Sequence, residues 1–131
     1  MPAVEQLVPV LVYANIEAAH DFLVRAFGFE SGGIERGADG TPVHAEVRAG
    51  NSRVWLHRVD PKNKLISAAS SDTAAFGVYV QVDDVDAHCA HAQANGAEVE
   101  GTPQDRPYGV REYGSRDIEG HRWWFGSPVG K

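Results

Sequence analysis

Only one cysteine, Cys89, occurs among the 131 residues, so no disulfide can close within the chain. Positive charge is also in short supply. Twelve Lys and Arg stand against 18 Asp and Glu, a formal charge of −6, which disfavours nonspecific nucleic-acid binding and favours attraction of cationic small molecules. No apolar run approaches the roughly 20 residues that span a bilayer. The opening MPAVEQLVPV lacks the basic flank and long apolar core of a secretory signal. These absences lead us to expect a cytoplasmic protein with neither a membrane nor a nucleic-acid partner. The 43% apolar composition suits one globular domain around one core.

The organisation emerges when the chain is laid against itself. Residues 8–30 (VPVLVYANIEAAHDFLVRAFGFE) and 77–98 (GVYVQVDDVDAHCAHAQANGAE) share an apolar run, an Asn or Asp, a helical stretch and a Gly. Asn15 and Asp84 fall at matching positions as helix N-caps, where a short polar side chain accepts from an orphan amide of the first turn. Ala19, Phe22, Leu23, Ala26 and Phe27 make one apolar stripe at helical spacing, ended by Gly28. Val85, Cys89 and Ala92 repeat it more narrowly, ending at Gly96. Three β-like pieces follow each helix: about 31–36, 43–47 and 53–59, then about 98–102, 110–116 and 121–125. Two βαβββ modules result, about 1–59 and 76–131 of a single domain, joined by a polar Ser/Ala-rich linker at about 60–75.

The doubled plan, the opening VPVL, RAFGFE at Arg25 to Glu30, VYVQVDDVDA at Val78 to Ala87 and PYGVREYGSRDIEGHRWWF at Pro107 to Phe125 resemble the vicinal oxygen chelate superfamily. Within it, the glyoxalase/bleomycin-resistance proteins of the antibiotic-binding branch are the nearest likeness. The most specific piece is the spacing of Pro107, Tyr108, Gly109, Arg111, Tyr113, Asp117 and Gly120. The resemblance implies an α+β fold in which the two modules form a curved, partly closed mixed sheet with helices on the outer face. It also implies a homodimer, with Pro9 as the hinge from which an N-terminal arm crosses to the partner.

Metal enzymes of that superfamily take ligands from the first and last strand of each module. Here those positions fall on Val8, Trp55, Gly77 and Trp124, and none offers a donor atom to a divalent ion. We therefore expect no metal, no cofactor and no catalytic residue of the family type. Among the six histidines, His88 and His91 share a helix face and read as solvated, His20 as outer helix surface and His121 as exposed. His44, Glu46 and His57 alternate on strands and could meet, though cross-strand polar contact or pocket lining is the favoured reading.

Trp55, His57, Tyr108, Arg111, Tyr113 and Trp124 are the candidate ligand-binding residues. Adjacent strand residues point to opposite faces, so one of Trp123 and Trp124 faces the cavity and the other the helices. Trp124 is assigned to the cavity as the repeat match of Trp55. For Arg111 and Arg116 a surface role and ligand contact weigh equally. A concave face bearing several rings and no metal ligand suits a flat, unsaturated molecule. What the resemblance implies is a metal-free protein that sequesters an aromatic, cationic natural product, a bleomycin-like or other DNA-damaging antibiotic, and confers resistance. The alternative is a glyoxalase-like lyase, isomerase or dioxygenase with a relocated metal or an acid/base site at His57 or Glu46.

Overall fold

The computed structural model describes residues 2–70 and 74–129. The first module runs β1 (Val10–Tyr13), α1 (Ile16–Phe27), β2 (Glu30–Arg36), β3 (Pro42–Ala49) and β4 (Ser52–Arg58). The second repeats the order as β5 (Gly77–Gln81), α2 (Val85–Ala94), β6 (Glu98–Asp105), β7 (Val110–Arg116) and β8 (Arg122–Pro128). Each makes a four-stranded mixed sheet, in the orders β1-β4-β3-β2 and β5-β8-β7-β6. The α+β class and the doubled βαβββ plan are thus found, with the two sheets remaining separate. The 69-residue separation holds through the register: Val10 pairs with Trp55 and Tyr79 with Trp124, in parallel ladders.

Local signals account for the helices. Asn15 Oδ1 accepts from the Ala18 amide at 3.0 Å and Asp84 Oδ1 from that of Ala87 at 3.1 Å, each satisfying a first-turn donor. Gly28 ends α1 with φ 81°, a left-handed conformation that costs glycine little. The five stripe residues of α1 are all buried, and α2 buries Val85, Cys89 and Ala92. They join the inner faces of both sheets in one core, centred on Tyr13, Leu23, Val47, Leu56, Tyr113, Trp123 and Phe125. Fully burying a large apolar side chain contributes about 1.5–3 kcal/mol. Because both sheets turn one face to this core, their other faces are outward.

Polar contacts lock the modules together. Buried Asp117 accepts from the Tyr13 hydroxyl, from Trp123 Nε1 at 3.0 Å and from the Glu119 and His121 amides at 3.1 Å. Glu119 accepts from the Ala14 and Asn15 amides at 2.7 and 2.8 Å and from the Ser67 hydroxyl. The β7–β8 turn therefore seals the start of α1. The linker also has structure, with 3-10 turns at Pro61–Asn63 and Ala68–Ser70; residues 71–73 lie outside the described residues.

Several histidine expectations need correction. His20 is buried, with Nδ1 2.9 Å from Asp21 and Nε2 2.7 Å from the Ser31 hydroxyl. His88 is half-buried, its Nε2 donating to the Phe27 carbonyl at 2.8 Å, whereas His91 is exposed as expected while its Nε2 donates to the Arg25 carbonyl at 2.9 Å, so both tie α2 to the end of α1. His121 is half-buried, its Nε2 2.8 Å from the Val12 carbonyl. In each case a neighbouring element supplies the unpaired backbone or hydroxyl group that the ring satisfies. Among the described residues no helix is long and apolar enough to cross a membrane.

Candidate functional site

Period-two alternation decides what each outer face carries. On β3 and β4, Ala45, Val47, Val54 and Leu56 enter the core, which leaves His44, Glu46, Trp55 and His57 on the outer face. These four, with Val10, line a cavity of about 610 Å³. On β8 the same rule buries Trp123 and Phe125 and turns Arg122 and Trp124 outward. Trp124 lines a second cavity of about 350 Å³ with Phe76, Gly77, Arg116 and Arg122.

The first cavity presents an open aromatic surface. Trp55 is 45% exposed, and its indole Nε1 donates to Glu46 Oε1 at 2.9 Å. Glu46 is braced by Arg48 Nε and lies 3.6 Å from Arg53. Gly32 leaves room for it, since a Cβ there would stand 2.5 Å from Glu46 Oε2. The Trp55 hydrogen bond, then that from Arg48, holds the Glu46 carboxyl below the usual carboxylate range. Glu46 is thus a fixed anion that sets the indole's orientation, and a poor proton donor near neutral pH.

Trp124 is engaged differently. The Arg122 guanidinium lies over its ring, 4.8 Å from the centroid, and pairs with Glu100, which Arg116 also approaches at 3.7 Å. A Cβ on Gly77 would stand 2.3 Å from Trp124 Cζ3, so only glycine fits beneath this indole. Farther along the same face, Tyr79 lies against Gly126, whose Cβ would come within 2.5 Å of its hydroxyl. Tyr108, 67% exposed on the turn before β7, donates to Glu112 at 2.6 Å.

Two candidates belong elsewhere. Tyr113 is 1% exposed, with its hydroxyl 2.7 Å from His88 Nδ1. Arg111 pairs with Asp86 of α2 at 3.0 Å and with Asp105 at 3.1 Å. Both sit on the odd-numbered, helix-facing side of β7, so the expectation that they line the cavity does not hold. Nor do Trp55 and Trp124 share one cavity within the chain, because their sheets face outward on either side of the core. Pro9 is half-buried, and its carbonyl accepts from the Trp55 amide of the same chain at 3.0 Å. Before it, Val4 and Leu7 are almost fully exposed.

Sequence reasoning missed Tyr79, Phe76 and Arg122. Tyr79 had a signal, since it lies 69 residues beyond Val10 and two beyond Gly77. Val8, Trp55, Gly77 and Trp124 do not fit the divalent ion that metal enzymes of the resembled superfamily hold, having no donor atoms to offer. Among the described residues no group of three or more His, Cys, Asp or Glu side chains could hold one elsewhere.

TioX from Micromonospora sp. ML1 is similar in structure, with a TM-score of 0.76 and 36% identity over 96% of this chain and 100% of its own. TnmS3, an antibiotic binding protein from Streptomyces sp. CB03234, matches with a TM-score of 0.76 and 25% identity over 98% of this chain and 100% of its own. An uncharacterized protein of Mycobacterium bovis is 32% identical over 126 residues, 94% of this chain and 83% of its own. Residues 5–125 match the family model of the Glyoxalase/Bleomycin resistance protein/Dioxygenase superfamily, and the chain belongs to that superfamily.

Proposed function

We propose that the protein is a noncatalytic binder with no resident metal that sequesters an aromatic, cationic natural product of the antibiotic type and so confers resistance, acting in the cytoplasm. The observation that carries this reading is Trp55, an indole left open on a cavity floor and fixed in orientation by Glu46. An oriented, exposed ring surface stacks on flat ligands and attracts cations. Similarity to TnmS3, itself an antibiotic binding protein, supports the same reading. The enzyme alternative draws no support from Glu46, whose carboxylate is committed to Trp55 and Arg48.

The two outward cavities further suggest a homodimer in which the first cavity of one copy faces the second cavity of the other. Glu35 and Glu46 line the first cavity and Arg116 and Arg122 the second, so the two linings carry opposite charge, each offset in part within its own sheet by Arg48 and Glu100. Closing them together would bring Trp55 and Trp124 to one ligand. Titration with a planar cationic bithiazole tests the reading: tryptophan fluorescence should be quenched and the melting temperature should rise with ligand. Absence of both effects across a panel of planar cationic antibiotics would sink it.

A further inference from the structure

We propose that the first outer face carries a docking point for a transition-metal ion, formed by Nε2 of His44 and Nε2 of His57 and separate from the superfamily's ligand positions. The two residues are directly opposed across β3 and β4. Such a pair has Cβ atoms about 4.5–5.5 Å apart, and here the ring centroids are 4.7 Å apart. Both rings line the same cavity.

In each ring the same nitrogen is already used. His57 Nδ1 lies 2.7 Å from the Arg58 carbonyl oxygen; a carbonyl only accepts, so Nδ1 carries the proton. His44 Nδ1 lies 3.0 Å from Glu35 Oε1, and a carboxylate likewise only accepts. A neutral imidazole has one N–H. Both Nε2 atoms are therefore left with lone pairs, and neither has a hydrogen-bond partner among the described residues. Carboxylate and carbonyl partners of this kind orient metal-binding histidines and raise their basicity.

Imidazole nitrogen suits Cu²⁺, Ni²⁺ and Zn²⁺. Glu46 does not supply a third donor, since Trp55, Arg48 and Arg53 occupy it. Two protein donors leave the remaining coordination positions to water or to a chelating molecule in the cavity. The site is thus filled when metal is supplied and is not a permanently loaded centre. It stands whether or not an aromatic antibiotic is the ligand.

The test uses Cu²⁺ alone with the full, tag-free, metal-stripped chain, read by calorimetry and electron paramagnetic resonance. One saturable Cu²⁺ per chain is expected, with a spectrum showing two imidazole nitrogens. Glu35→Gln should weaken binding by about tenfold, as loss of an outer partner does, with the nitrogen count unchanged. His44→Gln and His57→Gln should each weaken it further, and together abolish it, while His91→Gln leaves it intact. Copper binding that persists in the double variant, a single-nitrogen spectrum of the unaltered protein, or no saturable site overturns the proposal.

Discussion

Trp55 and Trp124 hold equivalent register positions and offer different surfaces. Trp55 is open on its cavity, whereas Trp124 is covered by the Arg122 guanidinium, so stacking affinity should concentrate at Trp55. Trp55→Ala is expected to cost on the order of 1–3 kcal/mol in binding a planar ligand, tenfold or more in affinity, with little change in unfolding midpoint because the ring is nearly half exposed. Trp123→Ala, at a fully buried position, should instead lower stability by about 3–5 kcal/mol. Calorimetric affinity and unfolding midpoint on both variants separate the two roles, and equal affinity loss from both would refute the assignment of faces. Glu46 adds a pH expectation. Its folded-state value is depressed, so its contribution is fully present above the ordinary value of 4.5 and is lost as pH falls through the lower folded value. The part of the stability owed to Glu46 should stay flat on acidification until below about pH 4.5, and Glu46→Gln should remove that acid limb from the unfolding midpoint.

At the level of elements, the turn between β7 and β8 does more than connect strands. Asp117 gathers four donors from three segments, and removing its carboxylate leaves buried Tyr13 and Trp123 groups without acceptors. Since an unsatisfied buried donor costs about 1–3 kcal/mol, Asp117→Ala is expected to lower unfolding free energy by about 3 kcal/mol or more in urea titration. The helix pair has its own pH signature. Burial pushes the His88 imidazole below its ordinary 6.5, against the smaller opposing effect of its bond to Phe27. The unfolded chain then takes up that proton first, so this part of the stability is present above about pH 6.5 and is lost as pH falls through the folded value. Thermal midpoints from about pH 8 to 5 should fall less steeply for His88→Asn than for the parent, and parallel curves would refute this.

At the scale of the whole molecule, the proposed pairing of copies would bring the two outward cavities, lined by Trp55 and Trp124, into one pocket. If copies pair and exchange the exposed arm before Pro9, deleting residues 1–8 should yield a monomer by sedimentation and weaken ligand binding together. A truncated chain that stays dimeric would remove arm exchange from the proposal while leaving the pairing of cavities open to direct structural test.

How much of this was legible beforehand depends on how local the physics is. The caps at Asn15 and Asp84, the buried stripe of α1, the stop at Gly28 and the 69-residue repeat all follow from interactions within a few residues or from internal similarity. So does the absence of metal-ligating atoms at Val8, Trp55, Gly77 and Trp124. Strand parity separated Trp123 from Trp124, but choosing the sign on β7 required knowing that Tyr113 meets His88 and that Arg111 meets Asp86. Tertiary structure alone decided where the histidines went. Each found a partner on another element, nine or more residues away, or on its own strand in the case of His57. It also decided that Trp55 is open while Trp124 is covered, because the Arg122 guanidinium two residues away lies over the Trp124 ring while paired with Glu100 of β6, two strands distant. Backbone caps and apolar periodicity are set by near neighbours along the chain, but side-chain pairing depends on which elements the completed core brings side by side.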